Sequence, residues 1–317
     1  MSRSTPLATA MIVASACCFG SIAIFVTLAE RDGAPLLSIL TWRFLLGGAG
    51  LFLLAGGPAA LRGARRQGWR LVALGGPPQA VINFTSLLAL RWIPVPTLVF
   101  LFYTYPSWIA VIAALRGTER LNAPRVVALI LSLGGIAIMV GTPGTRMMHP
   151  VGVALALFAA LVYALYIPFI GKLSTGLSAR AASALLACGA TIAFALIGLA
   201  ALAARPWLAD ATMQTLTLTT AFGARAWIAI LLLAGVSTVA GFVLFLNGLS
   251  VLGPVRTGIV STVEPFWASL LGALVLGQGL GPRTLVGGAA IALAVMLLQL
   301  SRPGVGVTAR RIEESVS

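Results

Sequence analysis

Seven acidic residues occur in the 317-residue sequence, and one of them, Glu264, falls deep inside an apolar run, directly before Pro265. A carboxylate near the middle of a bilayer is expensive, so its default reading is functional. It is suited to taking up and releasing a proton, or to binding a substrate ammonium. The structural alternative is a carboxylate paired with Arg43 or bonded to backbone near the proline. Pro106 and Pro265 each remove an amide donor and disturb the preceding turn. Carbonyls released at membrane depth need partners, so such breaks face protein or a wet cavity. They read either as gating breaks or as static kinks that fit neighbouring helices.

Other polar side chains sit in apolar surroundings. Arg43 lies within the second apolar run, as an intramembrane charge partner or as a side chain snorkelling outward toward Glu30 or Asp32. Asn83 and Asn247 are placed either to bond a substrate or to join helices. Tyr103, Tyr105, Trp108, Tyr163, Tyr166 and Trp267 form a candidate aromatic cavity wall. Tyr105 and Trp108 share a helix face by their spacing, as do Tyr163 and Tyr166. Plain packing is the alternative for all six. Trp42, Trp69, Trp92 and Trp227 lie near run ends and read as interfacial residues.

Enzymatic chemistry finds little to work with. The single histidine, His149, lies between apolar runs, and no second acid lies deep beside Glu264. No HExxH or GxSxG pattern occurs, so neither a metal nor a cofactor is expected. Cys17, Cys18 and Cys188 fall inside apolar runs and read as packing residues.

The elements that must position these groups are transmembrane helices. Of all residues, 59% are hydrophobic and 9% charged, against roughly 25% charged in an average soluble domain. The apolar runs are about 20 residues long, enough for a helix to cross a bilayer. Helices are expected near 7–29, 36–56, 70–90, 94–115, 123–142, 150–171, 181–203, 226–248, 254–276 and 281–300. The net charge of +14 does not mark a nucleic-acid partner, because the basic residues sit in short loops. With the N-terminus in the cytoplasm, more than twice as many of the 21 Lys and Arg fall inside as outside. Both termini are therefore expected in the cytoplasm. The Thr-rich segment 205–225 is expected to lie along the outer membrane face, and 301–317 reads as a cytoplasmic tail.

The chain also repeats itself. Residues 90–121 align with 249–280, so that Pro106-Ser107-Trp108 falls on Pro265-Phe266-Trp267, Glu119 on Gln278 and Leu121 on Leu280. The halves are 7–142 and 150–300, with five helices each. An odd number of crossings makes the second half enter the bilayer from the opposite side. Inverted repeats with interrupted helices at the midplane are a signature of secondary transporters. The expectation is an all-α membrane protein of ten transmembrane helices in two inverted five-helix repeats. It would act as a monomer or weak homodimer, moving a small molecule with a proton as candidate coupling ion. A non-transporting receptor or scaffold is the reading from another class.

The stretches NFTSLLAL, FLFYTYPSW, GTERL and LSLGGIAIMVG resemble one EamA-type repeat, and FLNGLSVLG, TVEPFWASLLGALVLG and GGAAIALAVML resemble a second. The early TWRF, Thr41 to Phe44, fits as well. Together, over roughly 7–300, the chain resembles the drug/metabolite transporter superfamily. The resemblance implies alternating access around a central cavity lined mainly by helices 1, 3, 4, 6, 8 and 9. Members similar in length and layout export amino acids and related metabolites, with cationic-drug efflux as the runner-up. A bacterial inner-membrane location follows from the same resemblance. The family has Glu after both proline-interrupted helices, whereas this chain has Glu119 but Gln278.

Overall fold

The computed structural model describes residues 4–58, 65–117, 122–141 and 148–300. Glu119, Leu121 and the tail 301–317 lie outside them. Among the described residues the regular structure is helical. Seven runs are single spans: α1 (Thr5–Arg31), α2 (Leu36–Leu54), α3 (Arg66–Arg91), α4 (Val95–Leu115), α5 (Ala123–Val140), α6 (Pro150–Leu173) and α7 (Ala179–Ala203). The next run, Ala224–Ser261, is 38 residues long and too long for one crossing. It is two spans joined at Gly253, whose φ of 74° and ψ of 169° leave the helix. That region is essentially open to glycine alone. The first part, 224–252, is α8. The second, 254–276, is α9 and continues through Thr262 into Val263–Leu276. Pro282–Leu300 is α10, which completes ten spans.

Five spans per half invert the second half, and the packing follows that symmetry. The pairs α2·α7, α5·α10 and α4·α9 join equivalent spans of the two halves. The pair α1·α8 has its counterpart in α3·α6, and α1·α9 in α4·α6. The largest buried cluster gathers Leu37, Leu40 and Phe44 of α2 with Phe194 of α7 and Leu233 of α8. A second joins Phe100 of α4, Met139 of α5 and Ile291 of α10. Leu53, Ile130, Leu133 and Leu199 point outward, as they must where hydrocarbon is the solvent.

Segment 205–225 is largely exposed and lies at the Arg91 end of the bundle. It forms the short helix Asp210–Leu216 and then folds onto the ends of α2 and α3. Ser38 donates to the carbonyl of Thr217 (2.8 Å) and accepts from the amide of Thr219 (3.0 Å). Arg91 at the end of α3 donates to Thr215 Oγ1 (2.7 Å) and pairs with Glu30 of α1 (3.6 Å). Trp42 and Trp227 pack against each other at 5.3 Å under this segment. They serve a packed cap, whereas Trp69 stays exposed. The cause is side-chain chemistry: Thr and Ser hydroxyls satisfy the backbone of a segment too short to satisfy its own.

Candidate functional site

Pro265 sets the site's chemistry. Its missing amide leaves the carbonyl of Ser261, one turn back, without its helical donor. The hydroxyl of Tyr103 approaches that carbonyl at 2.9 Å and Glu264 Oε2 at 2.8 Å. The two contacts link three oxygens, while the tyrosine supplies one hydrogen. Both form together when Glu264 carries a proton that it donates to the tyrosine oxygen. When Glu264 is ionised, the single hydrogen serves one acceptor at a time. The trio therefore couples the protonation of Glu264 to the backbone at the α9 break.

Three interrupted spans meet here. Helix α4 breaks at Tyr103–Thr104, α9 at Thr262 and α1 at Ser21. Tyr105 and Glu264 are equivalent under the internal repeat, each directly before a proline in the first turn of a new helical segment. The prolines thus do not kink continuous helices. They stand just inside fresh starts, a position proline tolerates. Gly20 lets α1 close on this point: a Cβ there would lie 2.8 Å from the carbonyl oxygen of Glu264. Trp267 Nε1 donates to Ser21 Oγ at 3.3 Å, tying α9 to the α1 break.

A ladder of rings leads away from Glu264. Tyr103 faces Tyr105 at 6.1 Å, Tyr105 faces Tyr163 at 4.9 Å, and Tyr163 stacks on Tyr166 at 6.4 Å. Tyr166 borders an open cavity of about 480 Å³ lined also by Pro78, Phe169, Arg116 and Lys172. The cavity opens at the Lys172 end of the bundle, opposite the end tied by Arg91. The Tyr166 hydroxyl and Trp108 Nε1 are buried without a hydrogen-bond partner among the described residues.

Arg43 neither snorkels outward nor pairs with Glu264. It is 6% exposed and turns inward, where Nε donates to Thr238 Oγ1 (3.2 Å) and Nη1 to Asn83 Oδ1 (3.1 Å). Glu30, its expected outward partner, is taken by Arg91. Asn83 is half-buried and holds Arg43, with its own amide donated to the carbonyl of Gln79 (2.9 Å). Asn247 is exposed, and its backbone carbonyl accepts from Ser250 Oγ at 2.8 Å. Gln278 accepts from the amide of Val95 at 2.8 Å and so caps the start of α4. A neutral acceptor suffices for that, which explains how glutamine serves where the family pattern has glutamate.

Sequence reading missed Gly20, Ser21, Ser261 and Thr238. It also missed two π-helical turns, Leu71–Gly75 in α3 and Gly235–Ala240 in α8. The Ser261 carbonyl was inferable from Pro265 by counting back one turn. The π-turns carry no residue pattern that announces them.

Ten helices among the described residues, in two inverted halves, with interrupted helices around a half-buried carboxylate, define the architecture of a multi-pass membrane transporter. The family model of the EamA-like transporter family matches residues 7–141 and 150–300. The chain belongs to that family, within the drug/metabolite transporter superfamily. It is 28% identical over 293 residues to an uncharacterized transporter of Archaeoglobus fulgidus, covering 91% of this chain and 94% of the relative. A solved crystal structure covers 98% of this chain and 100% of its own at a TM-score of 0.60 and 18% identity, and shares the fold.

Proposed function

We propose that the protein exports a small amine-bearing metabolite, an amino acid or a related compound, across the bacterial inner membrane by alternating access. Both termini then lie in the cytoplasm, so the Lys172 end opens inward and the Arg91 end faces out. One observation carries the reading: the Glu264–Tyr103–Ser261 trio where α1, α4 and α9 are interrupted. A carboxylate there binds either an ammonium or a proton, and each state bonds the α9 break differently. Substrate entering past Tyr166 would meet Glu264 in exchange for the proton. The outward direction rests on the likeness to exporters. Cationic-drug efflux is the second reading, favoured by the tyrosine ladder, since ring faces attract cations.

The test is flux in liposomes holding the purified protein, with and without an imposed pH gradient. Glu264→Gln keeps size and much of the hydrogen bonding but cannot ionise. The variant should fold and insert, carry less flux and lose the pH dependence of transport. Wild-type flux with an unchanged pH profile in the variant would remove Glu264 from the mechanism.

A further inference from the structure

Arg43 presents an unfinished set of bonds. A guanidinium has five N–H donors and carries its charge at all physiological pH values. Among the described residues its hydrogen-bond acceptors are the Thr238 hydroxyl and the Asn83 amide oxygen, both neutral and together using two donors. The described ion pair of the molecule, Glu30 with Arg91, lies elsewhere. A charge 6% exposed and without a counter-ion among the described residues is a costly thing to keep.

The surroundings are built to hold it in place. Thr238, within the π-turn Gly235–Ala240, donates its hydroxyl to the Leu233 carbonyl at 3.0 Å and accepts from Arg43. π-turns of this kind cluster at functional sites. Asn83 is fixed from its other side by the Gln79 carbonyl. Arg43 thus reaches from α2 to both α3 and α8, a pair absent from the closely packed helices. Its side chain therefore ties the first half to the second. Arg43 and Asn83 each lie about 10–12 Å from the Arg91 end of their spans, and Glu264 about 18 Å from that end of its own, at 1.5 Å per residue.

We propose that Arg43 is the anion-docking residue of the transport site, taking a carboxylate or similar oxyanion of the substrate through its uncommitted N–H groups. The proposal rests on the transport reading and narrows it: the substrate carries an anionic group, which a purely cationic drug lacks. Thr238 and Asn83 orient the guanidinium beside the Phe44 ring (5.1 Å), and none of these three neutral groups cancels its charge. Fork-like pairing with a carboxylate is what arginine does best and lysine does poorly.

Three probes sharing one ring separate the charges: L-phenylalanine, phenethylamine without the carboxylate, and 3-phenylpropionate without the amine. Binding of each to the purified full-length protein in detergent is measured with wild type, Arg43→Gln and Arg43→Lys, alongside the melting temperature without ligand. Wild type should bind both carboxylates in preference to phenethylamine. Arg43→Gln should weaken the two carboxylates roughly 10- to 100-fold while phenethylamine changes little, and Arg43→Lys should fall between. A wild type without carboxylate preference overturns the proposal. So does a preference that survives in Arg43→Gln, or an equal loss for all three probes with a lowered melting temperature. If Arg43→Gln fails to fold, Arg43→Lys and the wild-type ranking still decide. Absent flux in liposomes with the carboxylate preference intact would instead defeat the transport reading and leave the docking site.

Discussion

At the scale of single residues, the protein places one half-buried carboxylate inside a span and bonds it to the hydroxyl of Tyr103. Tyr103 is the group through which Glu264 acts on the α9 backbone, because its hydroxyl touches both Glu264 and Ser261. Tyr103→Phe keeps the ring and its contact with Tyr105 but removes that link. Losing a hydrogen bond to a group that ionises costs about 1.5–3 kcal/mol. The expected result is a folded protein with a lower melting temperature and a pH profile of flux flattened nearly as much as in Glu264→Gln. A profile identical to wild type would separate the tyrosine from the proton-binding step. Trp108 and Tyr166 add buried donors without a partner among the described residues.

At the scale of elements, the interruptions have two different origins. Gly253 ends α8 through its own backbone, with φ of 74°. Pro265 acts by withholding a donor from Ser261. The two should therefore respond differently to alanine. Gly253→Ala forces a side chain into a region reserved for glycine and should cost about 1–3 kcal/mol of stability, read as a lower melting temperature. Pro265→Ala restores an amide that competes with Tyr103 for the Ser261 carbonyl. It should slow flux more than it lowers the melting temperature. Equal effects on stability from both substitutions would show that the α9 break does not depend on the missing donor.

For the whole molecule, the one described ion pair lies at one end and the opening at the other, where Gln67 of α3 donates to the carbonyl of Leu173 (3.1 Å). Arg91 clamps Glu30 and Thr215, while the cavity of about 480 Å³ opens beside Lys172. In the proposed topology these ends face outside and cytoplasm respectively. With Cys17, Cys18 and Cys188 replaced, a cysteine at Asp210 should react with an impermeant reagent in intact cells. One at Lys172 should react only after the cytoplasm is opened. Labelling of position 172 from outside would reverse the orientation and with it the direction of the open state.

The sequence by itself determined the architecture. Apolar runs of bilayer length, charges gathered mostly at their ends and an odd number of spans per repeat follow from hydrophobicity and counting, which need no tertiary detail. Membership of the EamA-like family was legible in the same runs. The singular position of Glu264 beside Pro265 was legible too, because a lone acid in an apolar run stands out whatever surrounds it. Tertiary structure alone decided what each polar group touches. Glu264 could have met Arg43, yet it meets Tyr103, because α4 and α9 pack as symmetry-related partners. Arg43 could have reached outward, yet Arg91 occupies Glu30 and a π-turn in α8 turns Thr238 toward it. Segment 205–225 reads as surface and is largely exposed, and tertiary structure adds its bonds to Ser38 and Arg91 at one end of the bundle. Pairings of this kind depend on helix rotation, crossing and local over-winding. Those are set by the sum of many weak packing contacts, and no short stretch of sequence encodes that sum.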